Sequence, residues 1–133
     1  MGSGTVLVVE DHHLVRDVIA RSLGAAGFIV IEAENATSAR AFVDSTTIDA
    51  AVLDIALTGD MNGLQLGHWI RYRYRLLPLV FVTGLSDWEM PAEVPLDQST
   101  RLLRKPFGAR EIAEAVRTML VPRFGMGTLS KAE

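Results

Sequence analysis

The sequence predicts an α/β domain in which a five-stranded parallel sheet is covered by helices on both faces. Three observations support this prediction. Short apolar runs rich in β-branched residues alternate with segments whose apolar residues repeat every three or four positions. These runs are continuously apolar, which is typical of strands buried on both faces of a parallel sheet. The chain of 133 residues also has the length of a single domain.

The five predicted strands are the apolar runs themselves. The first is built from Val, Leu and Thr, the fourth is introduced by Pro78, and the fifth is the weakest because arginines interrupt it. In chain order they are Thr5–Val9, residues 28–31, Ala50–Asp54, Leu79–Thr83 and residues 101–104.

The predicted helices are the segments with helical periodicity. Gly27 is well placed to end the first one in a left-handed cap, and Asn35 is a suitable N-cap for the second. The last has Ile112, Val116 and Leu120 on one face. These helices span residues 14–26, 35–43, 64–74 and 109–120.

The segment between the fourth and fifth strands predicts an irregular fourth helix. Ser86 and Glu89 have the spacing of a capping box, which favours a helix start. Pro91 and Pro95 then fall inside the helix, where the proline ring clashes with the preceding turn. We therefore expect a short or irregular element over residues 86–98.

Composition excludes several classes of protein. The net charge of −3 does not favour nucleic-acid binding, and the lack of cysteine excludes disulfides, thiolate metal sites and cysteine nucleophiles. No apolar run approaches the ~20 residues of a membrane-spanning helix. We expect a cytoplasmic domain over residues 5–121, with a tail over residues 1–4 and a tail or linker start over residues 122–133.

Acidic side chains occur where predicted strands end. Glu10 and Asp11 follow the first strand, and Asp54 closes the third. In an open sheet of order 2-1-3-4-5, strands one and three are neighbours whose carboxyl ends flank a ligand-binding crevice. Lys105 and Thr83 reach the same end of the sheet from the fifth and fourth strands. Three carboxylates and one ammonium leave two negative charges, which predicts a Mg²⁺ site with oxygen ligands.

This set of groups suits phosphoryl transfer. A carboxylate can attack phosphorus while a divalent cation, an ammonium and a hydroxyl bind the equatorial oxygens. Each residue alone has a simpler interpretation, because acidic residues at loop starts are commonly solvated and a strand-ending Asp is often a turn residue. The joint placement at strand ends favours the functional interpretation. His12 and His13 are interpreted as first-turn residues of the first helix rather than metal ligands.

Four sequence blocks resemble the signature motifs of response-regulator receiver domains. The resemblance extends over about residues 5–120 and implies a flavodoxin-like, doubly wound (βα)5 fold with Asp54 as phosphoacceptor. The blocks are Val8-Val9-Glu10-Asp11, Leu53-Asp54, Val82-Thr83-Gly84 and Lys105-Pro106-Phe107.

The resemblance also implies roles for the residues around Asp54. Thr83 would turn towards the phosphoryl group, Lys105 would pair with it, and the Lys105–Pro106 peptide bond would be cis. The implied metal ligands are Asp11, Asp54, Glu10 through a water molecule, and the backbone carbonyl of Ala56.

The partners that the resemblance implies are phosphoryl donors. The donor would be a phosphohistidine on a sensor histidine kinase or a histidine phosphotransfer protein, and a homodimer is an open alternative. No direct contact with nucleic acid or membrane is expected, because residues 71–75 are interpreted as a helix surface, with Arg71 and Arg75 on one side. The donor would dock on a surface formed by Leu14, Val15, Pro106 and Phe107.

The chain departs from the family pattern at several positions. Leu102 occupies the position of the usual aromatic switch residue, so we expect the output change to travel through the loop after Thr83 instead. The loop after Asp54 is one residue longer than the commonest version. Ala56 and Leu85 offer no polar group to orient water, which predicts slow autodephosphorylation and no turnover of an external substrate.

Three other functions fit the sequence less well. A haloacid-dehalogenase-type phosphohydrolase would need a second Asp where this chain has Ala56. A flavin or nucleotide carrier would need a glycine-rich phosphate loop, whereas Glu10 and Asp11 would repel phosphate. A phosphorylation-independent interaction domain on a receiver-like scaffold remains the serious alternative, because Leu102 and the two prolines depart from the family pattern.

Overall fold

The computed structural model describes residues 4–84 and 97–124, which form alternating strands and helices. None of the helices in these ranges combines the length and apolar character needed to cross a bilayer. The strands are β1 (Thr5–Val9), β2 (Ile29–Ala33), β3 (Ala50–Asp54), β4 (Leu79–Thr83) and β5 (Thr100–Arg104). The helices are α1 (His13–Ala25), α2 (Ala36–Ser45), α3 (Gly63–Arg73) and α4 (Ala109–Phe124).

The strands form one parallel sheet of order β2-β1-β3-β4-β5, which confirms the predicted fold class. The pairing register decides which side chains meet at its carboxyl edge. Val9 pairs with Leu53, and Thr83 pairs with Arg104. The residues that follow these pairs are therefore brought to the same edge of the sheet.

The sheet separates two hydrophobic clusters, one on each face. Leu7 and Leu53 point into the cluster covered by α2 and α3, whereas Val8 and Val52 point into the cluster covered by α1 and α4. This alternation follows from the two-residue period of a strand. β3 and β4 are buried along their whole lengths, as their continuous apolar sequences predict.

Polar side chains begin three of the helices. The side chains of His12, Asn35 and Asn62 each accept a hydrogen bond from the backbone N–H three residues ahead. The Asn35 cap was predicted, but His12 was expected inside the first turn and instead lies just before α1. Gly27 follows α1 with a φ of 101°, which confirms the predicted left-handed cap.

Two predictions concern segments at the limits of the described residues. The irregular element predicted over residues 86–98 falls mostly on residues 85–96, which lie outside the described residues, so it stays a prediction. The last helix was predicted to end at residue 120, but α4 continues to Phe124, into the tail expected over residues 122–133. Pro122 lies two residues before this end, so the N–H that proline lacks and the contact of its ring with the preceding turn affect only the last turns of the helix.

Arg71 connects the end of α3 to the strands beside it. Its guanidinium donates hydrogen bonds to the carbonyls of Leu77 and Ser99, to the hydroxyl of Thr100 and to the carboxylate of Asp97. These contacts tie the α3–β4 loop to the start of β5. Arg71 therefore has a structural role within the domain.

Arg73 is also engaged within the domain. Its guanidinium lies 4.4 Å from the centre of the Trp69 ring and 3.2 Å from a carboxylate oxygen of Asp44. Cation–π and ion-pair contacts of this kind hold the side chain against the surface between α2 and α3. Trp69 is partly buried and packs against the cluster covered by α2 and α3.

Candidate functional site

The predicted carboxylates meet at the carboxyl edge of the sheet. Glu10, Asp11 and Asp54 each place a carboxylate oxygen so that the three atoms lie within 4.8 Å of one another. Glu10 and Asp54 are buried, whereas Asp11 is exposed. The site therefore has a buried floor and an open side, which is the arrangement that a ligand entering from solvent requires.

Lys105 joins the two buried carboxylates. Its Nζ lies 3.2 Å from Oε1 of Glu10 and 3.8 Å from Oδ2 of Asp54. The lysine side chain is 28% exposed, so its ammonium enters the site from the surface. The backbone N–H of Lys105 donates a hydrogen bond to the carbonyl of Thr83, which fixes the start of the β5–α4 loop. The Lys105–Pro106 bond is cis, as the resemblance implied.

Glu10 is the most constrained of the three acids. Its side chain is 1% exposed, and Oε2 accepts a hydrogen bond from the backbone N–H of His12. Burial raises the pKa of the Glu10 carboxyl above its ordinary value, and the neighbouring Asp54 carboxylate raises it further. The His12 amide and the Lys105 ammonium act in the opposite direction without cancelling the effect. The folded state is therefore destabilised when the Glu10 carboxyl is ionised.

Replacing Glu10 with Gln is expected to raise the free energy of unfolding of the metal-free protein at pH 7, because burial in the fold disfavours the ionised carboxyl. The folded state binds the Glu10 proton more tightly than the unfolded state. The free energy of unfolding therefore falls as the pH rises from the ordinary pKa of 4.5 through the raised folded pKa. Gln does not titrate, so the gain of the variant should be larger at pH 7 than at pH 4.

Urea unfolding in the presence of EDTA measures this difference at both pH values. Glu34→Gln, at an exposed position, serves as the matched control and should change stability little at either pH. A gain for Glu10→Gln that is the same at pH 4 and pH 7 would contradict the prediction.

Asp54 occupies the end of β3, where the backbone turns into the β3–α3 loop. The backbone N–H of Ala56 donates to Oδ1 of Asp54 over 3.1 Å, so one carboxylate oxygen is held by the main chain. Oδ2 faces Lys105. Thr83, the neighbouring strand end, is fully buried at the last position of β4. The structure therefore brings the predicted Asp, Lys and Thr to adjacent strand ends.

Asp11 is oriented by a residue that the sequence did not single out. The hydroxyl of Thr58, in the loop after β3, donates to Oδ2 of Asp11 over 3.2 Å. Arg16 is a second residue that the sequence did not single out. Its guanidinium donates a hydrogen bond to the backbone carbonyl of Glu10 over 2.8 Å. Its Nε also lies 3.4 Å from the Glu32 carboxylate. The six-residue spacing from Glu10 gives no periodic signal, so a pattern search would not find this contact.

Gly63 is the first residue of α3 and lies against the end of β3. Its N–H donates to the Ile55 carbonyl over 3.0 Å, and an added Cβ would collide with the carbonyl group of Asp54. The glycine lets the first turn of α3 approach the end of β3. Gly63 ends the predicted loop after Asp54, but the sequence alone predicted no role for it.

The predicted docking and switch residues differ in how deeply their side chains are buried. Leu14 is 60% exposed on α1, and Pro106 is exposed, whereas Val15 and Phe107 are half-buried against the core. The four residues thus offer apolar surface beside the acidic cluster, and their docking role stays a prediction. Leu102 is half-buried and packs on the cluster covered by α2 and α3.

A cavity of about 270 Å³ lies at the opposite, amino end of the sheet. Its lining includes Asp44, Thr47 and Tyr74, and it contains none of the predicted site residues. The acidic cluster is instead exposed to solvent at Asp11. This exposure suits a ligand presented by another molecule better than a small molecule enclosed by the protein.

The ligand atoms of the acidic cluster fit a hard divalent cation. They are carboxylate oxygens, and no cysteine exists in the chain to favour a softer metal. His13 is exposed and His12 caps α1, so the histidines are not part of the acidic group found among the described residues. The three clustered carboxylates carry more negative charge than the Lys105 ammonium can offset, which favours a cation there.

Comparison with known protein families gives one match over most of the chain. Residues 6–117 match the family described as response regulator receiver domain. Among curated proteins, the chain is 31% identical to sensor kinase CckA of Brucella abortus over 121 residues, covering 90% of this chain and 13% of that protein. It is 34% identical to the DNA-binding transcriptional regulator NtrC of Salmonella typhimurium, covering 87% of this chain and 24% of that protein.

Solved structures have the same fold. A response regulator receiver protein from Sinorhizobium medicae superimposes with a TM-score of 0.82 at 24% identity, covering 92% of this chain and 98% of that one. NtrX from Brucella abortus superimposes with a TM-score of 0.78 at 27% identity, covering 92% of this chain and 29% of that one. The first similarity concerns the fold alone, and the second extends to sequence.

Proposed function

The chain belongs to the response regulator receiver family, and we propose that Asp54 accepts a phosphoryl group from a phosphohistidine donor and thereby switches the conformation of the domain. Receiver domains act in two-component signalling. The observation that carries the proposal is the position of Lys105, whose ammonium faces both Asp54 and the buried Glu10. An ammonium there can pair with a phosphoryl oxygen once one is attached to Asp54.

The chemistry follows from the orientation of Asp54. The Ala56 amide holds Oδ1, and Oδ2 attacks the phosphorus of the phosphoimidazole. A P–O bond forms as the P–N bond breaks, and the imidazole nitrogen leaves with the electron pair of that bond. Lys105 and the hydroxyl of Thr83 would stabilise the charge on the transferred oxygens.

Asp11 and Asp54 would bind Mg²⁺ directly in this proposal, with Glu10 acting through water and the Ala56 carbonyl as a further ligand. When bound, the cation supplies charge neutralisation for the incoming phosphoryl group. The three clustered carboxylates support this assignment. The net negative charge of the cluster supports it as well, because a cation would offset the charge that Lys105 leaves.

The partners of the whole protein are also part of the proposal. The chain spans 13% of the length of the sensor kinase and 24% of that of the DNA-binding regulator to which it is similar. We propose a sensor histidine kinase or a histidine phosphotransfer protein as donor, docking over Leu14, Val15, Pro106 and Phe107. The exposed Leu14 supports this surface. A cytoplasmic location and a homodimer stay predictions.

The lifetime of the phosphoryl group is proposed to be long. Ala56 is exposed beside Asp54 but has no polar side-chain atom with which to orient a water molecule. The domain would therefore act as a phosphoacceptor with slow autodephosphorylation and would not turn over an external substrate.

Incubation with acetyl phosphate, followed by intact-protein mass measurement, tests the proposal. We expect a gain of one phosphoryl mass that requires Mg²⁺ and is absent from Asp54→Asn. Asp44→Asn, at an exposed Asp of the opposite end of the sheet, is the matched control and should still be labelled.

The outcomes separate the proposal from its main alternative. Labelling of Asp54→Asn to the same extent would place the phosphoryl group elsewhere and contradict the proposal. If neither acetyl phosphate nor a phosphohistidine donor labels the unmodified protein, the chain is a phosphorylation-independent interaction domain. The packing of the half-buried Leu102 against the cluster covered by α2 and α3, at the position of the usual aromatic switch residue, is the feature that favours this alternative.

A further inference from the structure

We propose that Thr58 is a positioning residue for Asp11, and that Arg40 holds the loop that delivers it. This inference rests on the proposed function, because it concerns how the chain prepares Asp11 to bind Mg²⁺. Thr58 belongs to the β3–α3 loop, residues 55–62, which begins directly after the phosphoacceptor Asp54. Its hydroxyl returns to the site by donating to Oδ2 of Asp11.

The three carboxylates need different kinds of support. Glu10 and Asp54 are buried, each accepts a backbone N–H, and both face Lys105. Asp11 is exposed, so its side chain would rotate freely without a partner. The Thr58 hydroxyl supplies that partner. A ligand side chain that is already oriented loses less conformational entropy when a cation binds.

The loop that carries Thr58 is anchored at its far end. Arg40 on α2 donates to a carboxylate oxygen of Asp60 over 2.8 Å and to Sδ of Met61 over 3.0 Å. A reciprocal capping box between Asn62 and Gln65 then fixes the start of α3. The loop is thus held on both sides of Thr58, and its hydroxyl is presented to Asp11 by a fixed backbone.

Substitutions at Thr58 separate positioning from packing. Thr58→Val keeps the shape of the side chain and removes the donor, whereas Thr58→Ser keeps the donor. Loss of a side chain that orients a metal ligand weakens metal affinity by about tenfold or more. Since Thr58 is exposed, we expect Thr58→Val to raise the Mg²⁺ dissociation constant by about fivefold to tenfold. Thr58→Ser should stay within about twofold of the unmodified protein.

Isothermal titration calorimetry with MgCl₂ measures the dissociation constants. Thr47→Val, an exposed threonine at the opposite end of the sheet, is the matched control and should bind Mg²⁺ like the unmodified protein. The urea midpoint of each variant in EDTA should remain unchanged, because the lost contact is at the surface. A parallel loss of stability and affinity in Thr58→Val, not rescued by Thr58→Ser, would assign Thr58 a structural role and overturn the inference.

Arg40→Gln separates two explanations, because they predict opposite changes in Mg²⁺ affinity. Removing a positive charge near an acidic site should strengthen Mg²⁺ binding if only long-range electrostatics matter. Releasing the loop should weaken it, and we expect a loss of about twofold or more, by the same loss of ligand orientation. Tighter binding by Arg40→Gln would overturn the role of the loop.

The outcomes also distinguish this inference from the proposed function. Binding of Mg²⁺ by the unmodified protein together with equal or tighter binding by Thr58→Val would overturn the inference and leave the proposed function standing. Failure of the unmodified protein to bind Mg²⁺ would overturn both.

Discussion

Replacing Gly63 with Ala is expected to lower the free energy of unfolding by about 3 kcal/mol or more. An added Cβ would lie 2.7 Å from the carbonyl carbon of Asp54 and 2.8 Å from Cα of Ile55, and it would meet the Asp54 carbonyl oxygen even more closely. These are backbone atoms, so rotation of a side chain cannot relieve the clash. Either α3 or the end of β3 must move, and both belong to the core.

Gly24→Ala is the matched control for this experiment. Gly24 lies inside α1, and an added Cβ there meets no atom within 4 Å. Ala favours the helix, so this variant should gain about 0.5–1 kcal/mol. Urea unfolding followed by circular dichroism compares the two variants. A Gly63→Ala protein within about 1 kcal/mol of the unmodified one would show that β3 and α3 separate more easily than the contact suggests.

Lys105→Met is expected to slow the labelling of Asp54 by about 100-fold, which is the typical effect of removing one charged donor from a transferring group. The ammonium lies between Glu10 and Asp54, and nothing in Met replaces its charge. The remaining carboxylates would also repel the negatively charged donor. The flexible Met side chain fills a similar volume, so packing around the site should change little.

The rate of mass gain with acetyl phosphate measures this effect at saturating Mg²⁺. Lys105→Arg keeps the charge with a different shape and should recover part of the lost rate. Circular dichroism before each assay verifies that the variants are folded. Labelling of Lys105→Met within about threefold of the unmodified rate would mean that the ammonium contributes little to the transfer step.

The fold could be predicted because its signals are local. The apolar runs of β1, β3 and β4 are long enough to indicate strands, and α/β alternation restricts how they pair. The end of α4 could not be located in the same way. The prediction ends this helix at residue 120, but a proline near the end of a helix disturbs only the neighbouring turn and does not mark the last helical residue.

The buried part of the site could be predicted for a related reason. Glu10, Asp54, Thr83 and Lys105 directly end or follow strands, so strand order alone places them at one edge. The contact of Thr58 with Asp11 depends instead on the path of an irregular loop, which no periodicity describes. The resemblance indicated that this loop is one residue longer than the commonest family version, without indicating where the Thr58 hydroxyl would point.

His12 illustrates a further limit of pattern-based prediction. Its place beside two acids suggested either a metal ligand or a solvated helix residue. The structure shows a third role, in which Nδ1 accepts the Val15 N–H and caps α1. Histidine is not among the residues that favour this position, so propensity gave no warning.

The ion pair between Glu10 and Lys105 joins residues that are 95 positions apart in the chain. The site is therefore assembled only when β1, β3 and β5 are all in place, and a partly folded chain offers no complete set of ligands. By thermodynamic linkage, any ion or group bound only by the complete site stabilises the whole sheet against global unfolding. At a free concentration 100 times the dissociation constant, that stabilisation is about 2.7 kcal/mol. Occupancy of the site and persistence of the folded domain are consequently two aspects of one equilibrium.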